Sequence, residues 1–398
     1  MIESTAQGPS IIAIGTGIGI LLIITVIIVI TWKVKGKIER TKNAPHHLQS
    51  AEPDMSPELS TRIGNLRQNS KMQINRDDFE IISEIGKGNF GKVYKGFIKG
   101  RNGDDSKTTV AIKSTKGRHA NESELDNLLC EIEMMVNVPH HLNLVSMVAM
   151  SLSEFETTEN IWLLLEFCGY GDLKNYLMKN KQKIIAGSEK EAINSRCLIK
   201  WAYNIASGMQ FLAEREIMHG DLAARNILLS ENLSQGKYPV AKVADFGLAK
   251  NFEDYAMYVK KVRRAIPWKW MALECLQHNY FTRTSDAWSF GVVFWEILSF
   301  GTEPYGHQQQ DELLQKLKAG FRLSFPEDSR DISCWSPEKV FNDLSNICFI
   351  SEPEERGDFG DILKLIKREL LPEELSDYQK RKETYNLTSK NDHAKINY

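Results

Sequence analysis

With 398 residues, 42% hydrophobic and 26% charged, the chain carries ample apolar material for one large domain or two modest ones, which excludes a wholly disordered protein. A formal charge of -2 lacks the basic footprint that phosphate-backbone binding requires, so nucleic acid is not an expected partner. Six scattered cysteines without a Cys-x-x-Cys exclude a zinc site or a disulfide framework and read as free thiols in a reducing compartment.

The first element is apolar. Ile11 to Trp32 contains no charged residue, and as a helix at about 1.5 Å per residue it spans roughly 33 Å, the thickness of a hydrocarbon core. Glu3 is the only charge before it, whereas Lys33, Lys35, Lys37 and Arg40 follow at once. These flanks suit a retained anchor rather than a cleaved signal, with residues 1–10 outside and everything after Lys33 cytoplasmic. The expectation is a single-pass protein of the cell membrane, with 11–32 in the lipid bilayer and Trp32 at the interface. Gly15-Thr16-Gly17-Ile18-Gly19 looks like a nucleotide loop but precedes no strand, so that reading fails on context. Gly15 and Gly19 form a G-x-x-x-G that lets two transmembrane helices approach closely, which points to a homodimer.

Residues 33–78, with Pro45, Pro53, Pro57 and little periodic hydrophobicity, read as a juxtamembrane linker in which His46 and His47 are solvated. From Phe79 onward short β-type runs (79–85, 92–97, 109–114, 161–167) give way to longer helical patterns. An early sheet followed by helices means an α+β, two-lobed domain over 79–371. The polar tail, 372–398, is expected to be poorly ordered.

Gly86-Lys87-Gly88-Asn89-Phe90-Gly91-Lys92-Val93 closes one β run, whose last apolar residue is Ile85, and opens another. Such a turn is either an empty hairpin or a phosphate loop. Val110-Ala111-Ile112-Lys113 decides for phosphate, because after one intervening strand Lys113 alternates with apolar neighbours and points inward beneath the glycines. A buried ammonium requires a partner. Glu131, bordering the apolar face of Leu128, Ile132 and Met135, fits better than Glu133, which remains an alternative.

Two further segments complete the pattern: His219-Gly220-Asp221-Leu222-Ala223-Ala224-Arg225-Asn226 and Asp245-Phe246-Gly247. With the glycine loop and the V-A-I-K strand, in this order, they resemble the protein kinase family from Phe79 to about Leu370. That resemblance implies a two-lobed kinase fold using ATP and Mg²⁺, with protein substrates. It implies Asp221 as the base that orients the acceptor hydroxyl, and Asn226 and Asp245 as hard oxygen ligands for Mg²⁺. Lys113 would hold the α- and β-phosphates while Glu131 holds Lys113. Glu166 and Cys168 would be backbone partners of adenine, with Leu165 guarding the deeper pocket and Val93, Ala111 and Leu228 enclosing the ring.

Tyrosine as the acceptor is implied by Ala223 and Arg225 between Asp221 and Asn226, and by Pro267-Trp268-Lys269-Trp270-Met271-Ala272, similar to the segment on which a phenol ring rests. Glu166-Phe167-Cys168-Gly169-Tyr170-Gly171-Asp172-Leu173 is similar to the receptors for platelet-derived, vascular endothelial and fibroblast growth factors. Residues 179–196 occupy the place of their kinase insert, and the expectation is a receptor-like branch with almost no ectodomain. Asp286 is expected to hold the catalytic loop, and Glu274 to pair with Arg356. Three departures stand out: Gly220 for arginine, Leu273 for proline and Gly357 for proline. Gly220 puts the role of Tyr258 as an activating phosphorylation site in doubt. The three together leave a catalytically silent kinase-fold scaffold as the alternative function.

Overall fold

A computed structural model describes residues 56–69, 72–88, 91–100, 106–115, 122–152, 161–187, 193–231, 238–251, 267–332 and 335–396. The expected span 11–32 with Gly15 and Gly19, the pair His46 and His47, the loop residues Asn89 and Phe90, and Tyr255 and Tyr258 lie outside them. Among the described residues no helix is long and apolar enough to cross a membrane.

The small lobe is an antiparallel sheet of β1 (Phe79–Gly88), β2 (Gly91–Lys99), β3 (Lys107–Ser114), β4 (Met147–Leu152) and β5 (Ile161–Glu166), in the order β1-β2-β3-β5-β4. Four of these match the expected runs. Strand β4 does not, because Met-Val-Ala-Met-Ser-Leu is buried on both faces and has no alternation to read. One face of the sheet carries α2 (Glu122–Asn137), whose Leu125, Leu128, Leu129 and Ile132 are fully buried, as the i, i+3, i+4, i+7 spacing of an amphipathic helix demands.

The linker expectation fails over 57–69. This segment is a helix, α1 (Pro57–Asn69), with proline at its start, where a missing N–H costs nothing. Leu59, Ile63 and Leu66 are buried on one face. Arg62 donates to both carboxylate oxygens of Glu133, at 2.8 and 2.7 Å, and to Asp126 at 2.5 Å. A helix this short with three apolar residues is marginal alone, so the neighbouring α2 stabilises it.

The large lobe is helical. It comprises α3 (Leu173–Ala186), α4 (Arg196–Ala213), α5 (Leu273–His278), α6 (Ser285–Leu298), α7 (Gln310–Lys318), α8 (Pro337–Cys348) and α9 (Phe359–Lys367), with hairpins β6 (Ile217–Met218) against β9 (Lys250–Asn251) and β7 (Ile227–Ser230) against β8 (Val240–Val243). Its core is built on α4 and on α6, in which every residue but Trp295 is buried. Helix α3 runs through the first half of the expected insert region.

The tail also departs from expectation, forming α10 (Pro372–Ile396). Its composition is polar, but Tyr378 and Tyr385, seven residues apart, share one face and are buried. Docking rests on specific hydroxyl and ionic contacts rather than on a broad apolar stripe, and composition does not register those.

Candidate active site

Hairpin pairing sets the geometry of the cleft. Lys87 faces Lys92, Gly86 faces Val93, and Gly88 faces Gly91 across the turn. Gly91 has φ +144, and a Cβ there would lie 2.0 Å from the Ser114 carbonyl oxygen, so no other residue fits. Across β3, Val93 is opposite Lys113, Ala111 opposite Leu165 and Lys113 opposite Leu163. Alternation therefore sends Lys113 and Ala111 to one face, with Val93 on the adjacent strand. Ile85, by contrast, is half-exposed. In the large lobe Leu228 packs with Cys168, Val145 and Ala244 on the far side of the cleft.

Lys113 lies between two carboxylates. Its Nζ is 2.5 Å from Glu131 Oε2 and 3.1 Å from Asp245 Oδ1. Burial lowers its pKa, but Asp245 and Glu131 together outweigh burial and raise it, so the ammonium stays charged. The Glu131 and Glu133 alternative resolves in favour of Glu131, while Glu133 binds Arg62 on the opposite side of the helix. Asp245 has left-handed backbone angles (φ 64, ψ 75), and the following Phe246 is buried beside His219, ring centroids 5.7 Å apart.

Backbone hydrogen bonds brace the loop bearing Asp221. Asp286 accepts from the His219 and Gly220 amides at 2.7 and 3.0 Å. His219 Nδ1 accepts from the Asp221 amide at 3.2 Å, which leaves Nε2 to donate to the Ala244 carbonyl at 3.0 Å. Asn226 Nδ2 donates to the Asp221 carbonyl at 2.7 Å, keeping its oxygen for another partner. The Asp221 carboxylate accepts from Arg225 at 2.5 Å. Burial raises its pKa and the Arg225 charge opposes the rise.

Motif spacing missed Glu296. This fully buried residue on α6 accepts from the Ala224 amide at 2.9 Å and from Trp270 Nε1 at 2.8 Å, tying the 219–226 loop to the 267–272 segment. Burial pushes its pKa up to about 7. Its place mid-helix in an apolar run was the available signal, since a lone glutamate there must have buried donors.

At the end of β5, the Glu166 side chain accepts from the Ser146 amide at 2.7 Å and from Lys242 at 3.0 Å. Cys168 is buried, and burial pushes its thiol up to about 12.

The protein tyrosine and serine/threonine kinase family model matches residues 79–366. The chain belongs to that family. Its kinase domain is 30% identical to a fibroblast growth factor receptor of Halocynthia roretzi over 326 residues, covering 77% of this chain and 40% of the relative. It is 32% identical to the tyrosine kinase receptor Cad96Ca of Drosophila melanogaster, covering 73% and 35%. With vascular endothelial growth factor receptor 3 of Danio rerio the identity is 31%, covering 75% and 24%. The chain thus spans between a quarter and two fifths of the length of these curated relatives, and its domain is of the protein tyrosine kinase type.

The kinase domain absorbs its departures locally. Gly220 takes φ 73, a conformation that favours glycine. Leu273 is buried at the start of α5, and the Gly357 amide donates to the Ile347 carbonyl. Glu274 and Arg356 pair through two bonds of 2.7 and 2.8 Å. None of the three belongs to the Glu131–Lys113–Asp245 cluster.

Proposed function

We propose that this chain is a single-pass membrane protein tyrosine kinase, transferring the γ-phosphoryl group of ATP to tyrosine hydroxyls of protein substrates. The observation that carries the reading is the assembled Glu131–Lys113–Asp245 cluster facing the braced Asp221. Kinase-fold scaffolds lack the need for such a cluster, and uncompensated buried charge is costly.

Asp221 acts as base, receiving the tyrosine proton, and Arg225 fixes its carboxylate. Lys113 neutralises the α- and β-phosphates, and the glycine loop from Ile85 to Val93 covers them. Asn226 and Asp245 offer hard oxygens suited to Mg²⁺, whose charge would offset that developing on the phosphates. The backbone of Glu166 and Cys168 holds adenine against Val93, Ala111 and Leu228. Arg225 lies over Trp270 at 4.3 Å, which fixes the guanidinium that holds Asp221.

Incubation with Mg-ATP and poly-Glu/Tyr tests this. Turnover is expected in the parent, and Lys113→Met and Asp221→Asn should each lose about 10²-fold or more. Nucleotide binding without transfer would favour the scaffold, and phosphoserine in place of phosphotyrosine would reject the acceptor assignment. The anchor at 11–32, cytoplasmic orientation at the cell membrane and a Gly15/Gly19 dimer are also part of the reading. Unchanged crosslinking in Gly15→Leu/Gly19→Leu would remove the dimer.

A further inference from the structure

Helix α10 is fastened at four points, one of them Arg381, which donates to the Tyr238 carbonyl at 3.1 Å. Glu374 accepts from Arg196 Nε at 2.9 Å and from its NH2 at 2.5 Å. Tyr378 donates to Asn143 Oδ1 at 2.7 Å, with Ser207 Oγ also 2.7 Å away. Tyr385 Oη lies 2.6 Å from Ser146 Oγ, and Lys242 Nζ is 4.5 Å from the centre of its ring. Lys242 is not a spare cation, because Glu166 occupies it at 3.0 Å, and Glu166 in turn receives the Ser146 amide. Tyr385 therefore abuts the groups that hold the Glu166 carboxylate, and it is 7% exposed.

A kinase active site acts on a hydroxyl it can reach, and this hydroxyl is sealed against Ser146 while the helix is docked. After transfer, a phosphate would bring about −1.5 to −2 charges and three further oxygens. The pocket offers them a neighbouring carboxylate and a lysine already neutralised. Docking and phosphorylation of Tyr385 thus exclude each other sterically and electrostatically.

We propose that Tyr385 is a phosphorylation site exposed only when α10 undocks, and that its phosphate then keeps the helix off the large lobe. The inference rests on the tyrosine kinase reading above. In the step, the γ-phosphorus bonds to Tyr385 Oη and its bond to the β–γ bridging oxygen breaks. ADP leaves, and the hydroxyl proton passes to the carboxylate base of the transferring active site. Release removes the Tyr385 contact from Ser146 and Lys242, so the state of the tail is communicated to the Glu166 side chain behind the adenine site.

The test uses the full-length chain in detergent micelles with Mg-ATP, following Tyr385 phosphorylation by mass spectrometry in the parent and in Glu374→Ala. Loss of the Glu374 carboxylate unpins the first turn of α10, and Tyr385 should be modified about ten-fold faster. Poly-Glu/Tyr turnover reports separately on the kinase reading. If the parent does not modify that polymer, an added active tyrosine kinase supplies the phosphoryl group and the same comparison decides. Hydrogen exchange over 372–388 in the phosphorylated parent needs no variant and should rise well above that of the unmodified chain. Equal Tyr385 rates in parent and Glu374→Ala would overturn the proposal, as would protection of 372–388 that survives phosphorylation.

Discussion

Arg225 lies over the Trp270 ring at 4.3 Å while its guanidinium holds Asp221 at 2.5 Å. The residue that holds the Asp221 carboxylate is therefore itself steadied by the indole beneath it. Arg225→Ala should lower kcat by about ten-fold through a misplaced carboxylate, with the KM for ATP little changed. Arg225→Lys should rescue only in part, because an ammonium cannot both stack and hold the same geometry. Steady-state kinetics on poly-Glu/Tyr distinguish these outcomes.

The same contact sets a pH dependence. Burial raises the pKa of Asp221 and Arg225 pulls it down, and the base works when deprotonated. Removing Arg225 removes the lowering influence, so the acidic limb of the kcat/KM profile should move to higher pH in Arg225→Ala. A limb that stays in place would detach Asp221 from that ionisation.

Lys113→Met should destabilise as well as inactivate. It leaves the buried Glu131 carboxylate next to Asp245 without its cation, and breaking a buried pair from one side costs about 3–5 kcal/mol. Lys113→Met/Glu131→Leu should recover much of that stability without recovering activity. Urea unfolding of both variants measures it.

Glu296 predicts an unusual stability profile. Its folded-state pKa, about 7, is raised above that of an unfolded glutamate, so between these two values the folded state binds the extra proton. Stability from this group is present below the unfolded pKa and is lost as pH rises through about 7. Glu296→Gln should flatten that decline, seen as a smaller change of the urea midpoint between acid and neutral pH.

How much of this was legible in the sequence depended on the kind of signal. Lys113, Asp221, Asn226 and Asp245 sit in short motifs of fixed spacing, and the fold joins Lys113 to Asp245 and Asn226 to Asp221. Alternation revealed β1, β2, β3 and β5, but not β4, which has no solvent face to mark its period. Helices α1 and α10 look like linker and tail in the sequence because each is stabilised by a few pairings supplied by distant sequence. Arg62 finds Glu133 and Tyr385 finds Ser146 only once the domain has folded. Glu296 went unnoticed because its partners are a backbone amide and an indole, neither of which forms a motif.

The buried Cys168 bears on inhibitor chemistry. A cysteine beside an adenine pocket invites acrylamide and other electrophilic warheads, which react with thiolate rather than thiol. Burial disfavours the Cys168 thiolate, so under the proposed nucleotide reading such compounds would occupy this pocket reversibly. Under that reading, potency would have to come from shape around Leu165 and Leu228.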